Sequence, residues 1–298
     1  MPDTVLVSGA SSQLGVFLLP RLRSAGFSVL ALSRKAPLEP LGVAPGVRWL
    51  HPDAEFMPRE PVNFMVSCGP LALAVDLVQQ NPGLQRVVAF SSSSVVTKAD
   101  SENPAENRTM AAIRDDERRL NTLCEDRRIA LLLLRPTMIY GCGLDRNVSL
   151  LARFGRRLGF IPLAGSAAGL RQPVHADDLA AVAVAALAAE HPVTLQSTAC
   201  GGCTLSYREM AEKIAAACDG NVRILALPLW VFTTAVRALS VFSAFRGINR
   251  EMVRRQARDM VFDDSALRAA IDYRPRPFEP TAPDFEIPAL AGKLQLPG

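Results

Sequence analysis

The stretch VLVSGASSQLGVFLLPRL, Val5 to Leu22, decides the fold. Four apolar or small residues run straight into Gly9. Two serines follow, and then a helical pattern begins at Gln13 and carries Gly15 in its first turn. A strand, a glycine turn and a helix in that order form the first βα unit of a dinucleotide-binding sheet. Gly9 permits the tight turn, and Gly15 lets the helix approach the sheet closely. The helix N-terminus then presents unpaired N–H groups and its positive dipole end to a pyrophosphate. No Lys-Ser/Thr follows the glycines, so the turn is not a P-loop.

Outward from that unit, short apolar runs alternate with helical patterns. TVLVSG, SVLALSR, VRWLHPD, VNFMVSC, RVVAFSSSS and IALLLLRP read as six strands. Helices are expected over Gln13 to Ala25, over Leu71 to Gln80, and in a segment that holds AAIRDDERRLNTLCED (111–126). Strands that are apolar throughout are covered on both faces. Strands alternating with helices imply right-handed crossovers and a parallel sheet. The expected fold class is α/β, a doubly wound parallel sheet (Rossmann fold) with a smaller, mostly C-terminal α/β substrate lobe.

The pattern changes near residue 145. A dinucleotide domain is expected over 1–145. A mixed region is expected over 146–298, returning part of the chain to the sheet and supplying the substrate lobe. Within it NVSLLARFGRRLG is helical, GLRQPVHADDLAAVAVAALAAE leads into an Ala-rich helix with Asp177 as its N-cap, and TLSYREMAEKIAAACDG is a capped helix with a Gly stop.

The chain has 298 residues, 49% of them hydrophobic and 21% charged, with a net charge of +4. That composition suits a globular protein with a real core. The mild positive balance, without any nucleic-acid-binding signature, gives no reason to expect a nucleic-acid partner. Six cysteines form no disulfide framework, and the opening MPDTVLVSG lacks the pattern of a secretory leader, so a cytoplasmic location is expected. The apolar stretch ILALPLWVFTTAVRALSVFSAF (224–245) raises a membrane reading. Pro228 and Arg237 interrupt it, which favours a packed helix over an interfacial one and puts a membrane span last. Arg246, Arg250, Arg254, Arg255 and Arg258 nearby are what keep contact with a membrane surface or a partner under consideration.

The motifs GASSQLG, AFSSSSVV, LLLLRPTMIYG and RQPVHADDLA together resemble the extended short-chain dehydrogenase/reductase superfamily, in its NAD(P)-dependent epimerase/dehydratase branch. The resemblance covers nearly the whole chain, with Ser12 in place of the middle family glycine. It implies a cofactor site of Gly9, Ser11, Ser12, Gln13, Leu14 and Gly15. It adds Asp53 near the adenine, Cys68 and Gly69 beneath the cofactor, and Ser91 and Pro136 as further cofactor-binding residues. At the end of the second strand an acid would select NAD and a basic residue a 2′-phosphate. ALSRK has Ser33, Arg34 and Lys35, so NADP is expected, with NAD as the alternative; Arg34 and Lys35 also read as a solvated loop pair.

The same resemblance exposes a gap. The family's Tyr and Lys, four residues apart on the helix after the fifth strand, exchange a proton as hydride moves. Aligned on Glu117 to Leu120, those positions hold Thr109 and Ile113. The other tyrosines, 140, 207 and 273, have no Lys four residues later. Ser92 or Ser93 matches the family hydroxyl that bonds the reacting oxygen, and Lys98, Tyr140 and Arg114 are candidate helpers. Arg171 is the candidate contact for a nucleotide- or phosphate-linked small-molecule substrate. Its alternative is a structural pair with Asp177 or Asp178.

Three functions follow from this reading. The first is an oxidoreductase or epimerase/dehydratase-type enzyme acting on a sugar-like or other carbonyl/hydroxyl substrate. The second is a catalytically silent NAD(P)-binding sensor or assembly scaffold. The third is a membrane- or partner-docked protein with a structural nucleotide. A homodimer is compatible with each. CGGC (200–203) reads as a turn rather than a metal or redox site, and His175 as a structural residue.

Overall fold

The computed structural model describes residues 3–34, 46–51, 61–97, 103–218, 220–228 and 256–287. Asp53, Lys35, Lys98, residues 229–245 of the apolar stretch and Arg246, Arg250, Arg254 and Arg255 lie outside the described residues.

The chain runs β1 (Thr4–Ser8), α1 (Gln13–Ser24), β2 (Ser28–Leu32), β3 (Val47–Leu50), β4 (Phe64–Ser67), α2 (Leu71–Gln80), β5 (Arg86–Phe90), α3 (Ser94–Thr97), α4 (Pro104–Asp126) and β6 (Ala130–Pro136). There follow β7 (Ile139–Tyr140), α5 (Val148–Leu158), β8 (Phe160–Ala164), β9 (Leu170–Arg171), β10 (Val174–His175), α6 (Ala176–Ala188) and β11 (Leu195–Ala199). Last come β12 (Leu205–Ser206), α7 (Tyr207–Ala217), β13 (Arg223–Leu227), α8 (Ser265–Ala270) and a 3-10 turn, Ala282–Phe285.

Seven parallel strands form the central sheet in the order β11-β6-β5-β4-β1-β2-β3. Successive residues along each strand feed opposite cores, as the period of two requires. Val5, Val7, Val29, Ala31, Val66 and Val88 pack beneath α1 and α6 on one face. Leu6, Leu30, Met65, Val87 and Ala89 pack beneath α2 and α4 on the other. The expected doubly wound α/β sheet is what the structure has. The return segment is α6 and β11, with β11 pairing β6 in register Leu195↔Leu132.

A third core lies beyond the sheet. Tyr140, Leu151, Ile161, Leu163, Tyr207, Met210, Ile214, Phe278 and Phe285 bury one another there. Four of its supporting strands, β7, β9, β10 and β12, have two residues each.

Two local expectations need correction. The N-cap of α6 is His175, whose Nδ1 accepts the Asp177 N–H at 3.0 Å. Asp177 is spent instead on ion pairs with Arg21 (2.5 Å) and Arg276 (2.7 Å). The stretch from Ile224 begins as a strand, not a helix, because Arg223–Leu227 pairs in parallel with β8. The helix expected to hold residues 111–126 is α4, which starts at Pro104, where Asn103 caps it by accepting the Ala105 N–H. Among the described residues no helix is long and apolar enough to cross a membrane.

Candidate functional site

The strand order reverses between β1 and β4, and at such a switch point the crossovers leave a crevice at the carboxyl ends of the strands. A cleft of ≈ 720 Å³ opens there over Gly9, Ser11, Ser12, Ser33, Arg34, Cys68 and Gly69. Gly9 has φ +67°, and a Cβ on it would stand 2.7 Å from the Cys68 carbonyl and the Gly69 nitrogen. Only glycine fits both the backbone conformation and the approach of the β4 end. At Gly15 a Cβ would lie 1.9 Å from the Ala10 carbonyl oxygen, so the helix start packs directly on the turn. Ser12 is the N-cap of α1, its hydroxyl accepting the Gly15 N–H at 3.3 Å. The serine at this position of the turn is thereby put to use at the helix end.

On the floor of this cleft the Ser11 and Ser33 hydroxyls bond each other at 2.6 Å. Arg34 follows Ser33 at the rim and is exposed. No carboxylate stands at the end of β2, since Leu32, Ser33 and Arg34 occupy it. Leu14 is buried in the sheet core, so only its backbone belongs to the turn.

A second cleft, of ≈ 440 Å³, adjoins the first in sequence at Gln13. The loop after β5 lines it with Ser92, Ser93 and Ser94, and Thr97 of α3 joins them; the β6 exit supplies Thr137, Met138 and Ile139. Asp145, Arg171, Tyr207, Met260 and Phe262 close it from the C-terminal half. The serine run is fixed by bonds from the Ser91 N–H to the Leu134 carbonyl (2.7 Å) and from the Ser93 N–H to the Pro136 carbonyl (3.1 Å). Ser92 Oγ accepts the Ser94 N–H at 3.2 Å. The Ser91 hydroxyl is buried without a hydrogen-bond partner, as is Nε2 of Gln13.

The candidate residues thus fall into two groups. Gly9, Ser11, Ser12, Arg34, Cys68 and Gly69 share the first cleft, and Gln13, Ser92, Ser93 and Arg171 share the second. Tyr140 joins neither. It is 2% exposed, packs edge-on against His175 and Phe278, and burial pushes its phenol far above the ordinary range. A phenol so placed cannot exchange protons with a ligand. Arg114 is also elsewhere, bonding the Val95 carbonyl at 3.1 Å.

Arg171 does not pair with Asp177 or Asp178. Its Nη1 donates to the carbonyls of Leu170 (2.7 Å) and Arg258 (2.8 Å), and its guanidinium lies over the Tyr207 ring. Burial pushes the Tyr207 phenol up to about 12. The Thr109 and Ile113 side chains stay away from the cleft. Thr109 is exposed and bonds the Ala105 carbonyl at 2.9 Å, whereas Ile113 packs on the core beneath α4. The register of α4 is fixed by Glu117, which holds Arg135 of β6 in a two-pronged ion pair (2.9 and 2.5 Å). Thr109, eight residues earlier, is about 12 Å back along the axis.

The remaining motifs are structural. His175 Nε2 meets Asp284 at 3.1 Å. Gly201 and Gly202 of CGGC each have a carbonyl, of Pro173 and Pro275, where a Cβ would go. Burial pushes the Cys200 thiol up to about 12, the opposite of a reactive thiolate, and all six cysteines are free. Among the described residues no group of three His, Cys, Asp or Glu side chains could hold a metal ion.

Thr137, Asp145, Tyr207, Met260 and Phe262 had no signal in the sequence. Tyr207 reaches the cleft from the first position of α7, and the others come from separate segments between elements, each too short to show a period.

No family model and no curated protein matches the chain. Solved structures do. MoeE5 in complex with UDP-glucuronic acid and NAD is 18% identical, covering 98% of this chain and 100% of its own, with TM-score 0.69. The epimerase Mth375 from Methanothermobacter thermautotrophicus is 17% identical, covering 95% and 90%, with TM-score 0.72. A dTDP-glucose 4,6-dehydratase from Bacillus anthracis, in complex with NAD, is 11% identical, covering 95% and 93%, with TM-score 0.65. The chain has their fold. At such identities the chemistry has to be read from its own side chains.

Proposed function

We propose that this chain binds NADP(H) at the Gly9–Arg34 cleft and acts as an oxidoreductase or epimerase/dehydratase-type protein. Its substrate is a sugar-like or other carbonyl/hydroxyl compound held in the Ser92–Arg171 cleft. The observation that carries the reading is the ≈ 720 Å³ cleft at the reversal of strand order, floored by Gly9, with Arg34 and no acid at the end of β2; its one carboxylate, Asp76, comes from α2. A bound dinucleotide would supply hydride transfer. The α1 N-terminus would receive the pyrophosphate, and Arg34 the 2′-phosphate. Residues 1–145 would carry the cofactor, and 146–298 would cover the substrate. Solved structures of this fold in complex with UDP-glucuronic acid and NAD support a nucleotide-linked substrate and a nicotinamide dinucleotide.

Ser92 or Ser93 would donate a hydrogen bond to the substrate's reacting oxygen. No residue of α4 lines the cleft among the described residues. Proton exchange then falls to water or to a group on the substrate. The side chains of Thr109 and Ile113 favour a second reading, in which the dinucleotide is bound without turnover.

A fluorescence titration with NADPH and NADH tests the first step. NADPH should bind more tightly than NADH, and Gly9→Asp should abolish both. Arg34→Ala should weaken NADPH roughly tenfold, about 1.4 kcal/mol, and leave NADH unchanged. Loss of both nucleotides to the same degree in Arg34→Ala would refute the phosphate role. Binding without oxidation of NADPH across a panel of nucleotide sugars would select the silent reading.

A further inference from the structure

We infer that the Gln13 side chain is a ligand-binding group, donating through Nε2 to an oxygen of a nucleotide-linked sugar in the Ser92–Arg171 cleft; this rests on the function just proposed. Gln13 is the first residue of α1, where a side chain is usually turned to solvent or used as a cap. Here it lines the cleft beside Ser92, Ser93 and Thr137, and the adjoining dinucleotide cleft is lined by Ser11 and Ser12 instead. Its Nε2 is buried and has no acceptor.

A buried amide donor left without an acceptor destabilises the protein that carries it. The defect makes physical sense when a ligand supplies the missing oxygen. Around Gln13 the cleft offers hydroxyls from Ser92, Ser93, Ser94, Thr97 and Thr137, with Met138, Ile139, Met260 and Phe262 as an apolar wall. Hydroxyls and a carboxamide on one side, with methionine and aromatic surface on the other, suit the polar edge and the apolar face of a sugar ring. The arrangement also answers part of the gap on α4. With Thr and Ile at the dyad positions, neutral donors are what this end of the cleft has for orienting a substrate oxygen.

The same oxygen could belong to the cofactor's phosphates, so the test separates the two sources. Gln13→Met keeps the length of the side chain and removes the donor. In the free protein it should raise the thermal midpoint by roughly 2–4 °C, because an unsatisfied group is lost. Its affinity for NADPH should stay within twofold of wild type. UDP-glucuronic acid, added to the NADPH-loaded protein, should raise the midpoint of wild type more than that of Gln13→Met.

A midpoint unchanged or lowered in free Gln13→Met would assign the amide a structural bond and overturn the inference. Tenfold weaker NADPH binding in the variant would move the contact to the cofactor and overturn it as well. An equal response of both proteins to UDP-glucuronic acid, a null response included, would do the same. Failure of the underlying reading is distinct: wild type itself would then bind no NADPH, whatever the midpoints show.

Discussion

At the scale of single residues, two glycines separate conformation from contact. Gly9 and Gly26 both have positive φ, +67° and +86°, but a Cβ on Gly26 would meet nothing within 4 Å, whereas on Gly9 it would strike the Cys68–Gly69 backbone. Gly26→Ala should therefore cost only the left-handed strain, about 1 kcal/mol. Gly9→Ala adds displacement of the β4 end, and its loss should be roughly 2–4 kcal/mol. It should also weaken NADPH, because the turn that faces the ligand moves. Urea unfolding of both variants checks the order, and equal losses would refute the close-contact argument. The Gly9–Gly15 turn was legible in the sequence because its whole requirement is local, a strand, a bend and a helix start within a dozen residues. Arg171 was only half legible. Its place in the cleft follows from the motif around it, but its bond to the Arg258 carbonyl depends on chain 87 residues away.

At the scale of elements, strength of pattern decided what could be read. The helix α2 begins and ends at Leu71 and Gln80, as the apolar spacing predicts, and β5 and β6 were marked by runs buried on both faces. The two-residue strands β7, β9, β10 and β12 were invisible, since two residues carry no period. The helix expected to hold residues 111–126 is α4, whose start at Pro104 is set by its Asn103 cap rather than by an apolar stripe. What anchors α4 is the Glu117–Arg135 pair, with the Glu117 side chain only 4% exposed. Removing one partner strands a buried charge. Glu117→Ala should cost about 3 kcal/mol, and Glu117→Ala with Arg135→Met should recover a large part of it. Chemical denaturation of the single and double variants measures this. A double variant no more stable than the single one would show that the pair is not coupled.

At the scale of the whole molecule, the C-terminal segment is held by polar bonds as well as by the buried side chains of Leu267, Tyr273, Phe278 and Phe285. Arg276 bonds Asp177 and Asp178 at the start of α6, Asp284 holds His175, and the Tyr273 hydroxyl donates to the Cys200 carbonyl. Burial alone would raise the Asp177 carboxyl. Hydrogen bonds from Arg21 and Arg276 outweigh it and hold the group below its ordinary value. Burial likewise opposes ionisation of Asp284, and the bonds from His175 and the Thr281 N–H prevail. Both carboxyls are therefore depressed in the folded state, so the unfolded chain takes up protons first as pH falls. Their stabilisation is complete above the ordinary aspartate value near 3.9 and is lost as pH drops through the lower folded values. Arg21 and Arg276 are partly exposed, so solvent screening weakens the Asp177 pairs, and the two contributions together come to about 1–2 kcal/mol. The variant carrying Asp177→Asn and Asp284→Asn should accordingly be less stable than wild type at pH 7 by that amount. Between pH 4 and pH 2.5 its urea midpoint should fall less steeply and approach that of wild type. Two curves that stay parallel over the acid range would mean that other carboxyls, not the tether between C-terminal segment and sheet, set the acid limit of the fold.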